Sequence, residues 1–279
     1  CVIVNTGNPK AFEHGVCWNT GGNPTIFDDY TQEGPVSSAG EYHSTVTSLS
    51  ENTGYYVRAY IMNEIDTTYG EDLFFISCVL PEGSGTTEEP FRITSLAHLH
   101  WLASDNMLWD KHFEQVADID AQTVTSWNDG KGWLPLGNPV TKFTGSYNGN
   151  GHTIDGLYIN RTDADYQGFF GYADSASVSS LGLTNLTVSG KSYVGGFAGA
   201  FANSAMFDCH TTGSVAGSSY QGGLTGYNSR SVINDCHSAC EVSGTSSYTG
   251  GLAGNNYTYS EISNCYFNGT INASSNAGG

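Results

Sequence analysis

The stretch YVGGFAGAFANSAMFDCHTTGSVAG from Tyr193 is followed by YQGGLTGYNSRSVINDCHSACEVSG from Tyr220 and YTGGLAGNNYTYSEISNCYFNGT from Tyr248. Aligned on glycine, Gln167-Gly168 matches Gly195-Gly196, Gly222-Gly223, Gly250-Gly251 and Gly278-Gly279, at steps of 28, 27, 28 and 28 residues. A fixed period of this length built from short strand-like pieces is the signature of a β-solenoid, in which each coil is one supersecondary unit. One coil has no core of its own; stacking gives it one.

Equivalent positions then become ladders. Phe169, Phe197, Leu224 and Leu252 share one site, and Val178, Met206, Ile233 and Ile262 a second. Leu181, Cys209, Cys236 and Cys265 share a third. Parallel coils repeat at a strand spacing of about 4.8 Å, so like side chains sit on like in a dry interior. Gly171, Gly199, Gly226 and Gly254 recur at expected corners, where a Cβ would obstruct the turn.

Composition narrows the class of partner. The chain has 27 acidic against 9 basic residues, a net charge of -18, so the clustered Lys and Arg that neutralise phosphates are missing. Nucleic acid and polybasic membrane contacts are therefore set aside. No apolar run of about 18 residues is present to span a membrane. The 36 glycines and 17 tyrosines, with many Ser, Thr and Asn, describe turns joining short strands, and the expected class is all-β.

Upstream of the coils, Thr94 or Ser95 is placed to cap a short helix carrying Leu96, Leu99 and Leu102, which covers the first coil. HFEQVADI, GWLPL and HTIDGLYI read as strands between GNP and NGNG turns. Before them, EYHSTVTSL, YYVRAYIM and EDLFFISC alternate as strands of a small β-sandwich. The expected organisation is a sandwich over 1–80, a linker over 81–90 (PEGSGTTEEP), a solenoid cap and first coils over 91–163, and repeats over 164–279.

GSYNGNGHTIDGLYINR, followed by coils of the form GGLAG, NC and VSG, resembles the GLUG-repeat class of bacterial surface and secreted proteins over about residues 91–279. That resemblance implies a right-handed parallel β-solenoid in an extracellular or cell-surface, adhesin-like polypeptide, and no single activity. SLSENTGYYVRAYIMNEIDTTYGEDLFF resembles a fibronectin type III-like domain, in which Leu49, Thr53 and Tyr55 match the L-x-x-x-T-x-Y corner. In that alignment CVIV is the second strand. The sandwich then lacks its first strand and the solenoid closes on the opening of another coil, so the ends are expected to be truncations or surfaces for head-to-tail self-association into a filament.

The thiols Cys209, Cys236 and Cys265 stack in parallel instead of converging, so the expected role is a reduced packing ladder and not a metal column. Cys240 is expected inside as well; seven cysteines leave at least one unpaired in the chain, and pairing among Cys1, Cys17 and Cys78 stays open. Asp118, Asp120 and Asp155 are read as turn caps before a calcium site, and His98, His100, His210 and His237 lack metal-ligand spacing. Asp208 and Asp235 stack with Asn264, one acid per coil, which is a turn pattern and not a catalytic pair. Thr67 and Ser175 follow Asp in a short O-glycosylation-like pattern. No catalytic residue, cofactor or metal is assigned. The expected function is a non-enzymatic structural or adhesive segment with a surface glycan or protein as ligand. The alternative is a carbohydrate-binding or polysaccharide-processing module that uses the edge formed by Tyr193, Tyr220 and Tyr248 or a groove of the solenoid.

Overall fold

The computed structural model describes residues 2–50, 53–77, 80–274 and 277–278. Cys1, Cys78 and Gly279, singled out from the sequence, lie outside the described residues. The chain divides into two compact units, Cys1–Val79 and Leu80–Gly279.

In the second unit the described residues build three parallel sheets of ten, seven and four strands. A single coil shows the circuit: Ala198–Ala202 in the four-stranded sheet, Ala205–Phe207 in the seven-stranded sheet, then His210–Gly222 in the ten-stranded sheet. Each joins the next coil in register, with Met206 opposite Ile233 and Val215 opposite Val242. The solenoid is therefore a three-sided stack, and its ladders are those the period predicts. Phe91, Phe113, Tyr147, Val178, Met206, Ile233 and Ile262 lie on one continuous register line. Phe169, Phe197 and Leu224 are fully buried. Each such side chain is worth about 1.5–3 kcal/mol relative to exposure.

At the cap end the ladders turn aromatic. Trp133 stacks on Phe169 with centroids 5.5 Å apart, and its Nε1 donates to the Phe169 carbonyl at 3.1 Å. GWLPL, expected as a strand, makes only isolated bridges such as Leu136 to Phe170, because Trp133 and Pro135 hold the segment as a plug and not as a ladder strand. The covering helix spans Leu96–Ser104, with the Ser95 Oγ accepting from the His98 N–H. Its Leu99 and Leu102 are fully buried. No helix among the described residues is long and apolar enough to cross a membrane.

Three left-handed positions that recur from coil to coil turn the chain. They are Ser175, Asn203, Arg230 and Tyr259 at one corner; Ser180, Asp208, Asp235 and Asn264 at the second; and Tyr166, Tyr193, Tyr220 and Tyr248 at the third. The expectation that Gly171, Gly199, Gly226 and Gly254 form corners is corrected: they lie within the strands of the four-stranded sheet. Glycine is required there for space. A Cβ on Gly199 would sit 2.6 Å from the Tyr166 backbone, and one on Gly254 2.6 Å from that of Tyr220. The alignment also shifts by one at the first repeat, where Gln167 faces Val194 and not Gly195.

The first unit is an antiparallel sheet in the order Asp29–Tyr30, Glu13–Asn19, Gly54–Met62, Thr67–Tyr69, with Leu73–Ile76 also pairing Gly54–Met62. Val2–Ile3 pairs separately with Gly40–Glu41. EYHSTVTSL alternates exposed and half-buried residues as a strand face does, yet beyond Glu41 it joins no ladder among the described residues. The Tyr55 hydroxyl accepts from the Ser50 N–H at 3.1 Å, tying the chain before the strand to its second residue.

Candidate functional site

The feature most able to meet a partner is the tyrosine corner. Ring centroids run 4.8 Å from Tyr166 to Tyr193, 4.7 Å to Tyr220 and 4.8 Å to Tyr248, all within 7° of parallel. Each ring stands on a left-handed residue, a conformation that costs a Cβ-bearing residue roughly 1–2 kcal/mol. Stacking at about 0.5–1.5 kcal/mol per pair offsets it. Tyr227 closes the corner edge-on, 6.0 Å from Tyr193 and 6.4 Å from Tyr220. Burial pushes the Tyr166 and Tyr193 hydroxyls above the usual phenol range, helped by neighbouring tyrosines. Sugars stack on free aromatic faces, and here Tyr193 and Tyr220 have both faces covered by neighbours. What the corner offers outward is a row of ring edges and hydroxyls.

The structure brings Cys209, Cys236 and Cys265 together in one column. The Cys209 N–H donates to the Cys236 Sγ at 3.4 Å, and the Cys236 N–H to the Cys265 Sγ at 3.3 Å. Each thiol also donates to the carbonyl two residues back: Cys209 to Phe207 at 3.2 Å, Cys236 to Asn234 at 3.2 Å and Cys265 to Ser263 at 3.0 Å. Packing is thus only part of their role, because they satisfy backbone groups that the coil leaves over where it turns. All three are free thiols; Cys209 and Cys236 are buried and Cys265 is half-buried. Contact with the Cys209 side chain, then burial, pushes the Cys236 thiol far above its ordinary range.

Sequence reasoning missed a second column of the same design. Ser204 Oγ accepts from the Ala176 N–H at 2.9 Å and donates to the Ala202 carbonyl, and Ser231 Oγ accepts from the Ser204 N–H at 3.0 Å and donates to the Ser229 carbonyl. The signal was there: Ser204 and Ser231 are separated by one period. Two more polar pairs follow the coils: Thr249 donates to Gln221 Oε1 at 3.2 Å in the interior, and Asn228 Nδ2 donates at 2.8 Å to the Oδ1 of the exposed Asn256.

The carboxylates are engaged locally. Asp118 Oδ1 accepts from the Thr153 N–H at 2.9 Å, Asp120 Oδ1 from the Gln122 N–H at 2.9 Å, and Asp155 Oδ1 from Thr184 at 2.6 Å and Asn185 at 2.7 Å. The Thr153 N–H holds Asp118 below the usual carboxylate range, and the Thr184 and Asn185 donors do the same for Asp155. Burial pushes Asp174 up, but donors from Asn203 and Lys142 outweigh it and leave its pKa lowered. Asp208 and Asp235 occupy left-handed corners, with Ser180 Oγ donating to Asp208 at 3.1 Å. His210 stacks on His237 at 5.1 Å, and His237 on Tyr266 at 4.7 Å. His98 and His100 sit on the cap helix, where His100 packs edge-on against Trp127 at 4.9 Å. Among the described residues no three or more His, Cys, Asp or Glu converge as a metal-binding group. Cys240 is fully buried; Cys17, also fully buried, donates to the Pro24 carbonyl at 3.3 Å. Ser175 is exposed at a left-handed turn. Thr67 opens the strand Thr67–Tyr69 instead of lying in a turn, because it pairs with Met62.

Residues 245–272 match the family model described as the GLUG motif. Halomucin of Haloquadratum walsbyi is 40% identical over 138 residues, 47% of this chain and 2% of that protein. A Gly-rich membrane protein of Evansella cellulosilytica is 42% identical over 120 residues, 41% of this chain and 13% of that protein. The chain thus spans a small fraction of the length of these relatives. A solved structure titled IgA1 Protease superimposes with a TM-score of 0.49 at 17% identity, covering 92% of this chain and 21% of that one.

Proposed function

We propose that this chain is a non-enzymatic spacer and display segment of a longer extracellular or cell-surface bacterial polypeptide. The observation that carries the reading is the fate of its chemical groups. Hydroxyls and carboxylates that would serve a reaction elsewhere are spent on corner and inter-coil hydrogen bonds. The surface relatives, one named a halomucin and one a membrane protein, support the location. The first unit reads as a fibronectin type III-like sandwich, supported by the bond between the Tyr55 hydroxyl and the Ser50 N–H. Adhesion, self-association into a filament, and O-glycosylation at the exposed Ser175 or at Thr67 belong to the same reading.

Antibodies against residues 91–279 should label intact cells of the source organism without permeabilisation. Labelling that appears only after lysis would remove the surface assignment. Release of reducing ends from polysaccharides by the purified chain would instead replace the spacer role with a processing one.

A further inference from the structure

We propose that the thiol column forms a two-coordinate site for a soft monovalent d10 cation, of the Cu(I) or Ag(I) kind, held in line between sulfurs of successive coils. Phe207 opposite Asn234 and His210 opposite His237 bracket Cys209 and hold it level with Cys236. Asn234 opposite Ser263 and His237 opposite Tyr266 do the same for Cys236 and Cys265. A thiolate–d10 metal bond is about 2.3 Å for zinc, so an ion between two collinear sulfurs spans about 4.6 Å. The strand spacing that separates stacked side chains is about 4.8 Å. Parallel side chains are wrong for a tetrahedral ion, which needs ligands from several directions, and wrong for a disulfide, which needs about 2.05 Å and a near-perpendicular torsion. For a linear ion like ligands stacked one per coil suit: the metal would lie between two sulfurs of successive coils. Two sulfurs suffice, so the lack of a larger chelating group among the described residues does not bear on it.

The charge also closes. One thiol loses its proton to solvent as its sulfur bonds the cation, and the neighbouring protonated thiol donates a lone pair. A monovalent ion plus one thiolate leaves the buried site neutral, which avoids the cost of an unpaired interior charge. The N–H groups of Cys209 and Cys236, already directed at the sulfurs of the next coil, are placed to stabilise the thiolate. Soft sulfur ligands select Cu(I) over the harder divalent ions. Entry is through Cys265, the half-buried member of the column.

The test uses the full reduced chain, Ag(I) as a redox-inert probe, removal of loosely held ion by gel filtration, and metal analysis with thermal melting. Wild type should retain silver and melt higher; Cys236→Ser, which breaks both pairs, should lose the retained ion and the added stability, whereas Cys240→Ser, a buried thiol outside the column, should keep both. Cys236→Ser is expected to fold, since Ser204 and Ser231 already fill the equivalent role in the serine column. Equal silver retention by wild type and Cys236→Ser, or none in wild type, overturns the proposal. X-ray absorption of the silver-loaded wild type gives a reading independent of any variant: two sulfur neighbours support the site, and three or four overturn it.

Discussion

Tyr193 and Tyr220 lie ring on ring, 4.7 Å apart and 6° from parallel, and both stand on left-handed backbone at φ 57° and 61°. The two facts are coupled, since the stack repays a conformation that tyrosine otherwise avoids. Tyr220→Ala keeps the strained backbone and loses two stacked neighbours, so it should cost about 2 kcal/mol. Tyr220→Gly loses the same rings but relieves the backbone, and should recover about 1 kcal/mol of that. Chemical denaturation of the two variants checks the order. An alanine variant as stable as the glycine variant would show that the corner carries no strain for the rings to offset.

Gly226 tests the argument from space. A Cβ there would lie 2.5 Å from the Val194 nitrogen and 2.7 Å from the Gly199 carbonyl oxygen, backbone atoms of the preceding repeat. Gly226→Ala should therefore cost more than about 2 kcal/mol. Gly21→Ala, where a Cβ meets nothing within 4 Å, should change stability by less than about 0.5 kcal/mol. Equal melting temperatures would contradict the close approach.

The sequence is legible where one interaction repeats. Met206 over Ile233 and Cys209 over Cys236 follow from the period alone, because parallel coils force like onto like. What period cannot say is which residue takes the left-handed turn. Glycine is the natural candidate, yet Tyr193 and Asp208 take it, since stacking and side-chain hydrogen bonds pay locally for a Cβ. Nor does alternation alone make a strand: the segment after Glu41 keeps the burial pattern and joins no ladder among the described residues. The thiols were legible as a column but not as hydrogen-bonding corner groups, because cysteine reads as a small apolar residue until the N–H it must satisfy is seen.

Acid should loosen the imidazole stack. Burial, then the neighbouring His237, lowers the His210 pKa, while Asp208 opposes them more weakly. A histidine with a folded pKa below its unfolded value of about 6.5 takes up more protons unfolded. Its contribution is therefore complete above that pH and is lost as the pH falls toward the folded pKa. His100, lowered by burial, adds a loss of the same sign. The lowered carboxylates Asp118 and Asp155 act at more acidic pH, below the unfolded carboxylate value of about 4. Melting wild type and His210→Gln between pH 7.5 and 5, at roughly half-unit steps, should show a steeper fall for wild type. Parallel curves would mean that the stack carries no proton linkage.

Tyr55 gives the first unit its own test. Its ring is stacked 5.9 Å from Phe75, and its hydroxyl takes the Ser50 N–H at 3.1 Å. Tyr55→Phe keeps the ring and its packing and removes only the acceptor, leaving a backbone donor to be satisfied by water or not at all. A net hydrogen bond is worth about 1 kcal/mol, and in a domain of this size about 1 kcal/mol moves the melting midpoint by about 4–8 °C. The shift should appear in the transition followed by hydrogen exchange at Val57 and Ala59, on the strand whose second residue is Tyr55, while exchange at Val215 and Val242 in the solenoid stays unchanged. If Tyr55→Phe melts as wild type does, the hydroxyl ties nothing down, and the corner that marks a fibronectin type III-like domain loses its support.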